Sequence, residues 1–296
     1  MSTMTQNFDR RRHPVRPDLA ASDYEGLVEA GRFVEGDVFQ VIADRVALRP
    51  EPRPDRPIDT EALRGEWLTV YETTPEGWAW GQLDTDGYVG WFSSDALGPV
   101  TAATHRVRAL RTYRYPGPDL KFPPLGLLSL GSKVTVIGEA ETRGLTYALL
   151  ADGSAVVAKH LVPLDAREQD WVRVAEELLG TPYLWGGRSS LGLDCSALVQ
   201  LAAQAGGHDL PRDSDMQEAE AGTQIPHDDP AALVRGDLLF WKGHVGIIAG
   251  PGTLLHANGH TMTVACEPLD QAIDRIAATE WGEITRARRL PAADNS

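Results

Sequence analysis

The stretch Gly192-Leu-Asp-Cys-Ser-Ala-Leu-Val-Gln200 carries a cysteine at the predicted start of a helix. Apolar residues recur behind the cysteine at helical spacing, and Gly206-Gly207 ends the run. Asp194 is a favourable N-cap, which would place Cys195 in the first helical turn. The helix dipole favours a thiolate there, so we expect a lowered thiol pKa and a nucleophile near neutral pH. A small, unreactive core residue is the alternative for this cysteine.

Two strand-like runs, each with one histidine, flank a turn signal: His244-Val-Gly-Ile-Ile-Ala249, Gly250-Pro-Gly252 and Thr253-Leu-Leu-His-Ala257. If the three turn residues close an antiparallel hairpin, Ala249 faces Thr253 and Gly246 faces His256. The two histidines are an even number of residues apart, so this register puts both rings on one face as diagonal neighbours. That arrangement suits one imidazole acting as base for the thiol and a second imidazole orienting the first.

Zinc binding is an alternative use of the same side chains, because Cys195, His244 and His256 are all zinc-type ligands. No local ligand spacing supports it, so we expect no metal and no cofactor. Cys266 lies in a strand-like context and is interpreted as a structural thiol, with both cysteines free in a reducing compartment. The other histidines lie in polar or loop contexts, where we expect them to be solvated: His13, His105, His160, His208, His227 and His260.

The N-terminal half shows no helix-rich pattern beyond its first segment. Residues 1–36 are polar, with a helical pattern over 19–34, and have too few apolar residues for their own core. We expect an arm with a short helix that packs on another part of the protein. Beyond it, short apolar runs alternate with turn residues, and Asp86-Gly87 between two aromatic-rich runs predicts a hairpin. A second block of similar rhythm follows, which predicts two small β-barrels in tandem, residues 37–100 and 101–164.

The pattern changes to helix near residue 165. Apolar residues at three- and four-residue spacing define one helical face that ends at Gly180-Thr-Pro182, namely Trp171, Val174, Ala175, Leu178 and Leu179. We assign residues 165–296 to the third unit. A chain of 296 residues has room for two or three compact units with real cores.

Composition excludes several classes of protein. The chain has 42 Asp and Glu against 28 Lys and Arg, a net charge of −14, with 42% hydrophobic and 24% charged residues. These values argue against disorder and against a nucleic-acid partner, because non-specific nucleic-acid affinity comes from clustered Lys and Arg. The N-terminal residues contain no apolar h-region, and no apolar run of about 18 residues occurs. We expect a cytoplasmic protein without a membrane partner, and the sequence indicates no oligomeric state.

Five motifs follow one another in the C-terminal unit: Pro182-Tyr-Leu-Trp-Gly-Gly187, Asp194-Cys-Ser-Ala-Leu198, Arg235-Gly-Asp-Leu-Leu-Phe240, Gly243-His-Val-Gly-Ile247 and Leu255-His-Ala257. In order and spacing they resemble the motifs of the NlpC-type cell-wall peptidases, which are papain-like cysteine enzymes. The resemblance covers the whole C-terminal unit and implies Cys195 as nucleophile, His244 as base and His256 as the orienting residue. It also implies that Tyr183 and backbone N–H groups near the cysteine form the oxyanion site.

The N-terminal blocks resemble bacterial SH3-like domains, which often precede this peptidase unit. The implied fold class is α+β: two small SH3-like β-barrels, then a papain-like domain whose cysteine-bearing helix packs on an antiparallel sheet bearing the histidine pair. In cytoplasmic members with this layout, the barrel restricts the cleft to short peptides with a free N-terminal L-alanine. The residues implied in substrate binding are Asp213, Ser214 and Ser196, together with Glu66 and Tyr88 of the first barrel.

Carboxylates in such a cleft have a physical reason, since a free ammonium group needs negative charge to offset its desolvation. The resemblance implies an endopeptidase that cleaves the γ-D-glutamyl–diamino acid bond of L-Ala-γ-D-Glu-diaminopimelate, a small murein peptide, in cell-wall peptide recycling. The alternatives are a non-catalytic wall-peptide sensor or anchoring protein, and a related acyl transferase or amidase. A binding protein has no use for a reactive thiol, and the chain shows no amphipathic segment for a lipid substrate, which disfavours both. The N-terminus disfavours a secreted wall hydrolase.

Overall fold

The computed structural model describes residues 8–279 and 281–291. Its architecture is mixed α+β, as predicted, with mostly short antiparallel strands. The described residues form two compact units, one up to Ala102 and one from Ala103 onward. No helix in the described part of the chain is long and apolar enough to cross a membrane.

The N-terminal arm contains no α-helix over residues 19–34, so that prediction is wrong. The structure has a three-residue 3₁₀ turn, Ser22–Tyr24, and two short parallel strands, β1 (Ala20–Ala21) and β2 (Phe33–Val34). Gly26 interrupts any longer helix because its φ is 79°, in the left-handed region. Residues 1–7 of the predicted arm lie outside the described residues.

The arm packs on the first barrel, as its shortage of apolar residues predicted. Leu19 is fully buried in a cluster with Trp80, Val89 and Trp91 of that barrel. The guanidinium of Arg16 lies 4.3 Å from the centre of the Trp80 ring and 4.9 Å from that of Trp91, which is cation–π geometry. The arm therefore covers an apolar cluster that is separate from the core of the barrel.

Seven strands form the first barrel: β3 (Asp37–Val41), β4 (Arg45–Leu48), β5 (Thr60–Leu63), β6 (Trp67–Thr73), β7 (Trp78–Leu83), β8 (Val89–Ser93) and β9 (Leu97–Gly98). Five of them make an antiparallel sheet in the order β8-β7-β6-β3-β9, and β4 pairs with β5. The predicted Asp86-Gly87 hairpin joins β7 to β8, with Gly87 at a φ of 72°. Alternate side chains of β7 and β8 fill the barrel core, and the residues between them form the cluster covered by the arm.

Eight strands form the second barrel: β10 (His105–Val107), β11 (Arg111–Arg114), β12 (Gly126–Ser129), β13 (Lys133–Val134), β14 (Val136–Thr142), β15 (Leu145–Leu150), β16 (Ala155–Val157) and β17 (Leu161–Pro163). They pair as β13-β10-β17, β11-β12 and β14-β15-β16. Each barrel has, within itself, a backbone hydrogen bond that corresponds to one in the other. Gly65 N–H donates to the Val41 carbonyl at 2.9 Å, as Gly131 N–H does to Val107 at 3.0 Å, and both glycines have positive φ. The two turns are alike in backbone geometry, and the division into two barrels, residues 37–100 and 101–164, stays a prediction.

The remaining elements are α1 (Trp171–Glu177), β18 (Arg188–Ser189), β19 (Gly192–Leu193), α2 (Cys195–Ala205), α3 (Ser214–Glu220), β20 (Thr223–Ile225), β21 (Asp237–Trp241), β22 (His244–Gly250), β23 (Thr253–Asn258), β24 (Thr263–Pro268), α4 (Leu269–Ala277) and β25 (Ile284–Arg289). Six strands form an antiparallel sheet in the order β20-β25-β21-β22-β23-β24. Helix α2 packs on β22 and β23. Of the predicted α1 face, Leu179 is half exposed because the helix ends at Glu177.

The second barrel braces the end of α2. The buried Arg106 guanidinium donates to the carbonyls of Ala166 (2.8 Å) and Ala205 (3.3 Å), the latter being the last residue of α2. A cation at this end complements the helix dipole. Ser129 Oγ and the backbone N–H of Ser190 make a further buried hydrogen bond at 2.9 Å.

Candidate active site

Cys195 is the first residue of α2, and Asp194 caps the helix as predicted. The Asp194 backbone is extended, with φ −97° and ψ −177°, and its Oδ1 accepts a hydrogen bond from the Ala197 N–H at 2.9 Å. The thiol is almost fully buried, 7% of the residue being exposed. Local sequence thus places the nucleophile candidate at a helix N-terminus.

Asp194 also forms a buried ion pair with Arg212, a residue that the sequence analysis missed. The two guanidinium Nη atoms lie 2.9 and 2.7 Å from the two carboxylate oxygens, and the arginine side chain is 0% exposed. Arg212 also donates to the Ser196 hydroxyl at 2.9 Å and to the Gly187 carbonyl at 3.2 Å. One signal was available: the arginine lies directly before Asp213, which the sequence analysis had singled out.

The structure reverses the predicted direction of the thiol pKa. Burial raises the pKa of Cys195 to about 12, and the Asp194 carboxylate adds to the effect. Hydrogen bonds from the N–H groups of Val245 and Ser196 and the charge of Arg212 act in the opposite direction but are weaker. The helix start alone therefore does not produce a thiolate, and the thiol needs a base.

Val245, whose N–H donates to the thiol, directly follows His244 on β22. His244 is therefore the candidate base on the strand beside the thiol. His244 Nε2 lies 2.8 Å from His256 Nδ1, so the two imidazoles meet as predicted. His256 is 0% exposed and His244 is 6% exposed. Burial lowers the pKa of His244 to about 3, with smaller contributions from His256 and Arg275, so the ring is neutral at neutral pH.

The strand register explains why the two rings meet. Ile247 pairs with Leu255 and Ile248 with Leu254, which puts Gly246 opposite His256 as predicted. The predicted turn is wrong in detail, since a bulge at residue 249 makes Gly250, not Ala249, the partner of Thr253.

Glycine at 246 keeps the diagonal between the two histidines open. A Cβ at Gly246 would lie 3.4 Å from the His256 Cβ and 2.7 Å from a Leu254 methyl group. A side chain at this position would therefore displace the packing that holds the His256 ring.

Two further residues extend the chain of side chains beyond His256, and the sequence analysis missed both. His256 Nε2 lies 3.0 Å from Glu267 Oε1, and Arg275 Nη2 lies 2.6 Å from Glu267 Oε2. On β24, Ala265 pairs with His256, so Glu267 is two residues further along the same face. Register counting could have found the glutamate once the pairing of β23 with β24 was known. Arg275, on α4, carried no such signal.

A cavity of about 590 Å³ opens beside the histidine pair. It is lined by aromatic, histidine and arginine side chains, which include Tyr183, Trp185, His260, Arg275 and Trp281. Burial raises the pKa of Tyr183 above its usual range, and the nearby sulfur of Cys195 adds to this shift. The Tyr183 hydroxyl consequently stays protonated and can donate a hydrogen bond near the thiol.

The loop that carries Asp213 is tied to the start of α2. Besides Arg212, the Gln217 amide donates to the carbonyls of Ser196 (3.0 Å) and Pro211 (2.9 Å). Asp213 precedes α3, whose first residue is Ser214. The structure thus places Asp213, Ser214 and Ser196 on connected elements, and their roles in substrate binding stay predictions.

Glu66 and Tyr88 lie in the first barrel. The Glu66 carboxylate is buried and accepts hydrogen bonds from the Leu63 N–H at 2.7 Å and the Thr85 hydroxyl at 2.8 Å. Tyr88 is 3% exposed and packs in the barrel core. These contacts stabilise the barrel, and a role of either residue in binding substrate stays a prediction.

The cysteine and metal expectations have separate outcomes. Cys266 is exposed on β24, so the expectation of a structural thiol is wrong. Among the residues that the structure describes, no three His, Cys, Asp or Glu side chains are grouped to hold a metal ion. The nitrogens of His244 and His256 that face each other are engaged in their mutual hydrogen bond.

Comparison with known proteins identifies two families of domain. Residues 48–97 match the bacterial dipeptidyl-peptidase SH3 domain, and residues 180–280 match the NlpC/P60 family. A γ-D-glutamyl-L-lysine dipeptidyl-peptidase of Bacillus subtilis (strain 168) is 42% identical over 221 residues, which are 66% of this chain and 67% of that protein. A protein of the same name from Bacillus cereus is 31% identical over 252 residues, 72% of this chain and 71% of its own.

Among solved structures, the crystal structure of an NlpC/P60 family protein from Bacillus cereus matches with a TM-score of 0.69 at 20% identity. The match covers 86% of this chain and all of that one. It confirms the predicted fold of SH3-like β-structure followed by a papain-like domain.

Proposed function

We propose a substrate for this protein from one premise: the chain belongs to the NlpC/P60 family and is a cysteine peptidase, a hydrolase of peptidoglycan-derived peptides. The proposed bond is the γ-D-glutamyl–diamino acid bond of murein stem peptides with a free N-terminal L-alanine, such as L-Ala-γ-D-Glu-meso-diaminopimelate. Two relatives named for γ-D-glutamyl-L-lysine support a γ-D-glutamyl bond. The observation that carries the proposal is the buried helix-start thiol beside a neutral histidine pair.

The reaction begins with a neutral thiol and a neutral imidazole. The Cys195 proton passes to His244 while the sulfur attacks the γ-carbonyl carbon of D-glutamate. The Tyr183 hydroxyl and backbone N–H groups at the start of α2 donate to the oxyanion that forms. His244 then gives its proton to the amino group of the departing diamino acid, which leaves a thioester. Water, deprotonated by His244, hydrolyses the thioester and releases L-Ala-D-Glu.

Recognition of the free amine is the second part of the proposal. An ammonium group that leaves water needs a negative partner, and an internal peptide nitrogen has no charge to offer. Asp213 is assigned to this ammonium, with Glu66 and Tyr88 of the first barrel and the hydroxyls of Ser196 and Ser214 as further contacts. Free L-alanine ends arise once a stem peptide has left its sugar strand, so we propose peptide recycling in the cytoplasm.

The test is mass spectrometry of the purified chain incubated with L-Ala-γ-D-Glu-meso-diaminopimelate and, in parallel, with its N-acetylated form. We expect L-Ala-D-Glu from the free-amine peptide alone. Cleavage of both peptides would keep the peptidase and overturn the amine recognition, whereas cleavage of neither would overturn the substrate. Cys195→Ala is the control and should release no product while folding normally. The lysine analogue, run beside diaminopimelate, identifies the preferred diamino acid.

A further inference from the structure

The hydrogen-bonded chain from the base to the surface crosses three neighbouring strands. His244 on β22, His256 on β23 and Glu267 on β24 share one face, each two residues out of register with the next. The successive distances are 2.8 and 3.0 Å, and Arg275 closes the chain at 2.6 Å. Each ring nitrogen in these contacts has one partner, so the proton positions depend on one another.

Glu267, at the end of this row of hydrogen bonds, determines where the protons lie. Burial raises the pKa of Glu267, but hydrogen bonds from Arg275 and His256 outweigh this and lower it, so the carboxylate is ionised. An ionised carboxylate can only accept, which requires a proton on His256 Nε2. Because burial lowers the pKa of His256, its ring is neutral, and its Nδ1 is left with a lone pair.

That lone pair in turn sets the tautomer of the base. His256 Nδ1 can accept only if His244 Nε2 carries a proton, which leaves His244 Nδ1 free to take the thiol proton. If His256 instead carried its proton on Nδ1, that proton would be donated to His244 Nε2. His244 would then carry its own proton on Nδ1, and this nitrogen could not accept the thiol proton. The charged and titratable groups that face His256 are His244, Glu267, Arg275 and His260.

We infer that Glu267, held by Arg275, is a positioning residue that fixes His256 as the Nε2–H tautomer and so keeps His244 as a base. The inference rests on the proposed function only where its test measures kcat and KM on the proposed substrate. The ionised carboxylate also stabilises the positive charge that develops on His244 during attack, relayed through the neutral ring of His256. Arg275 binds the second carboxylate oxygen, which leaves Oε1 aimed at His256.

The test compares Glu267→Ala with Glu267→Gln, whose amide oxygen can still accept from His256. We expect Glu267→Ala to lower kcat by about tenfold or more with KM nearly unchanged, and Glu267→Gln to recover part of the loss. The matched control is Glu177→Ala. It removes a carboxylate on α1 that is paired with Arg108, and it should leave kcat unchanged. Equal kcat in wild type and Glu267→Ala would overturn the inference.

Two readouts need no substrate, so failure of the proposed substrate and failure of this inference are distinguishable. Histidine ¹H–¹⁵N spectra should show the Nε2–H tautomer of His256 in the wild type and in Glu267→Gln, and a loss of that preference in Glu267→Ala. Alkylation of Cys195 by iodoacetamide near neutral pH, followed in peptide mass spectra, should slow in Glu267→Ala and keep the wild-type rate in the control variant Glu177→Ala. An unchanged tautomer and alkylation rate would assign Glu267 a structural role and overturn the inference.

Discussion

The nucleophile half and the base half of the site each contain an arginine bound to a carboxylate, but the two pairs differ in burial. Arg212 is fully buried and binds both oxygens of Asp194, with side-chain exposures of 0% and 12%. Arg275 binds one oxygen of Glu267, with exposures of 27% and 16%. The first pair uses the whole carboxylate, whereas the second leaves an oxygen for a histidine.

The Arg212–Asp194 pair is therefore structural, whereas the Arg275–Glu267 pair also hydrogen-bonds to a titratable ring, that of His256. The Asp194 carboxylate caps α2, receives the Gly186 N–H at 3.0 Å and is neutralised by Arg212, so it holds the nucleophile in place. The Glu267 carboxylate ends a line of imidazoles, so its charge is available to the base. We expect the Arg212–Asp194 pair to govern folding stability and the Arg275–Glu267 pair to govern the base and its pH dependence.

The largest expected effect on stability belongs to Arg212→Ala. It leaves the Asp194 carboxylate buried without its cation, which should cost about 3–5 kcal/mol in the free energy of unfolding. Arg275→Ala, in the more exposed pair, should cost about 1 kcal/mol or less. Urea unfolding followed by circular dichroism measures both variants, with the exposed Arg235→Ala as control. Similar losses in the first two variants would remove the distinction between the halves.

An intermediate effect concerns acid. The pKa of His244 is about 3 in the folded chain, against 6.5 as its ordinary value, so the unfolded chain takes up the proton first as pH falls. Stability should therefore fall below about pH 6.5, by at most about 1.4 kcal/mol per pH unit for this group. Unfolding free energies between about pH 7 and pH 5 should decline less steeply in His244→Asn, while Cys195→Ala keeps the wild-type slope. Parallel slopes in all three proteins would contradict a neutral, buried base.

The smallest expected effect compares one hydroxyl from each half. The Ser196 hydroxyl is buried, donates to Asp194 Oδ1 at 3.2 Å and accepts from Arg212, so Ser196→Ala should cost about 1–2 kcal/mol. Thr261 is exposed between β23 and β24, and its hydroxyl donates to Asn258 Oδ1 at 3.1 Å. Water can replace that partner, so Thr261→Ala should change stability by about 0.5 kcal/mol or less. Thermal unfolding measures both, and an equal shift in Tm would contradict the buried network around Arg212.

The two barrels illustrate how far sequence rhythm reaches. The order of strands and turns was predictable from the sequence. Which residue of one barrel corresponds to which residue of the other was not, because the side chains at corresponding turns differ. Glu66 N–H donates to the Leu63 carbonyl as Ser132 N–H does to that of Ser129. A backbone hydrogen-bond network tolerates such exchanges, since it depends on turn geometry rather than on side chains.

Sequence by itself determined the elements that depend on local spacing. The cap at Asp194 and the helix start at Cys195 follow from residue type and helical periodicity, and the meeting of His244 and His256 follows from the two-residue period of strands. The helix predicted in the N-terminal arm failed because glycine conformation there overrides a weak apolar pattern.

Only the tertiary structure decided the electrostatics of the site. Arg212 and Arg275 come from other elements than the carboxylates they bind, so no local pattern announces them. The direction of the Cys195 pKa was equally out of reach, because it is the balance between a helix-start effect, which is local, and burial, which depends on how α2 packs on the sheet. Burial has the larger effect in this protein, and the thiol therefore depends on a base, His244, whose proton position is set by a carboxylate two strands away, Glu267 on β24.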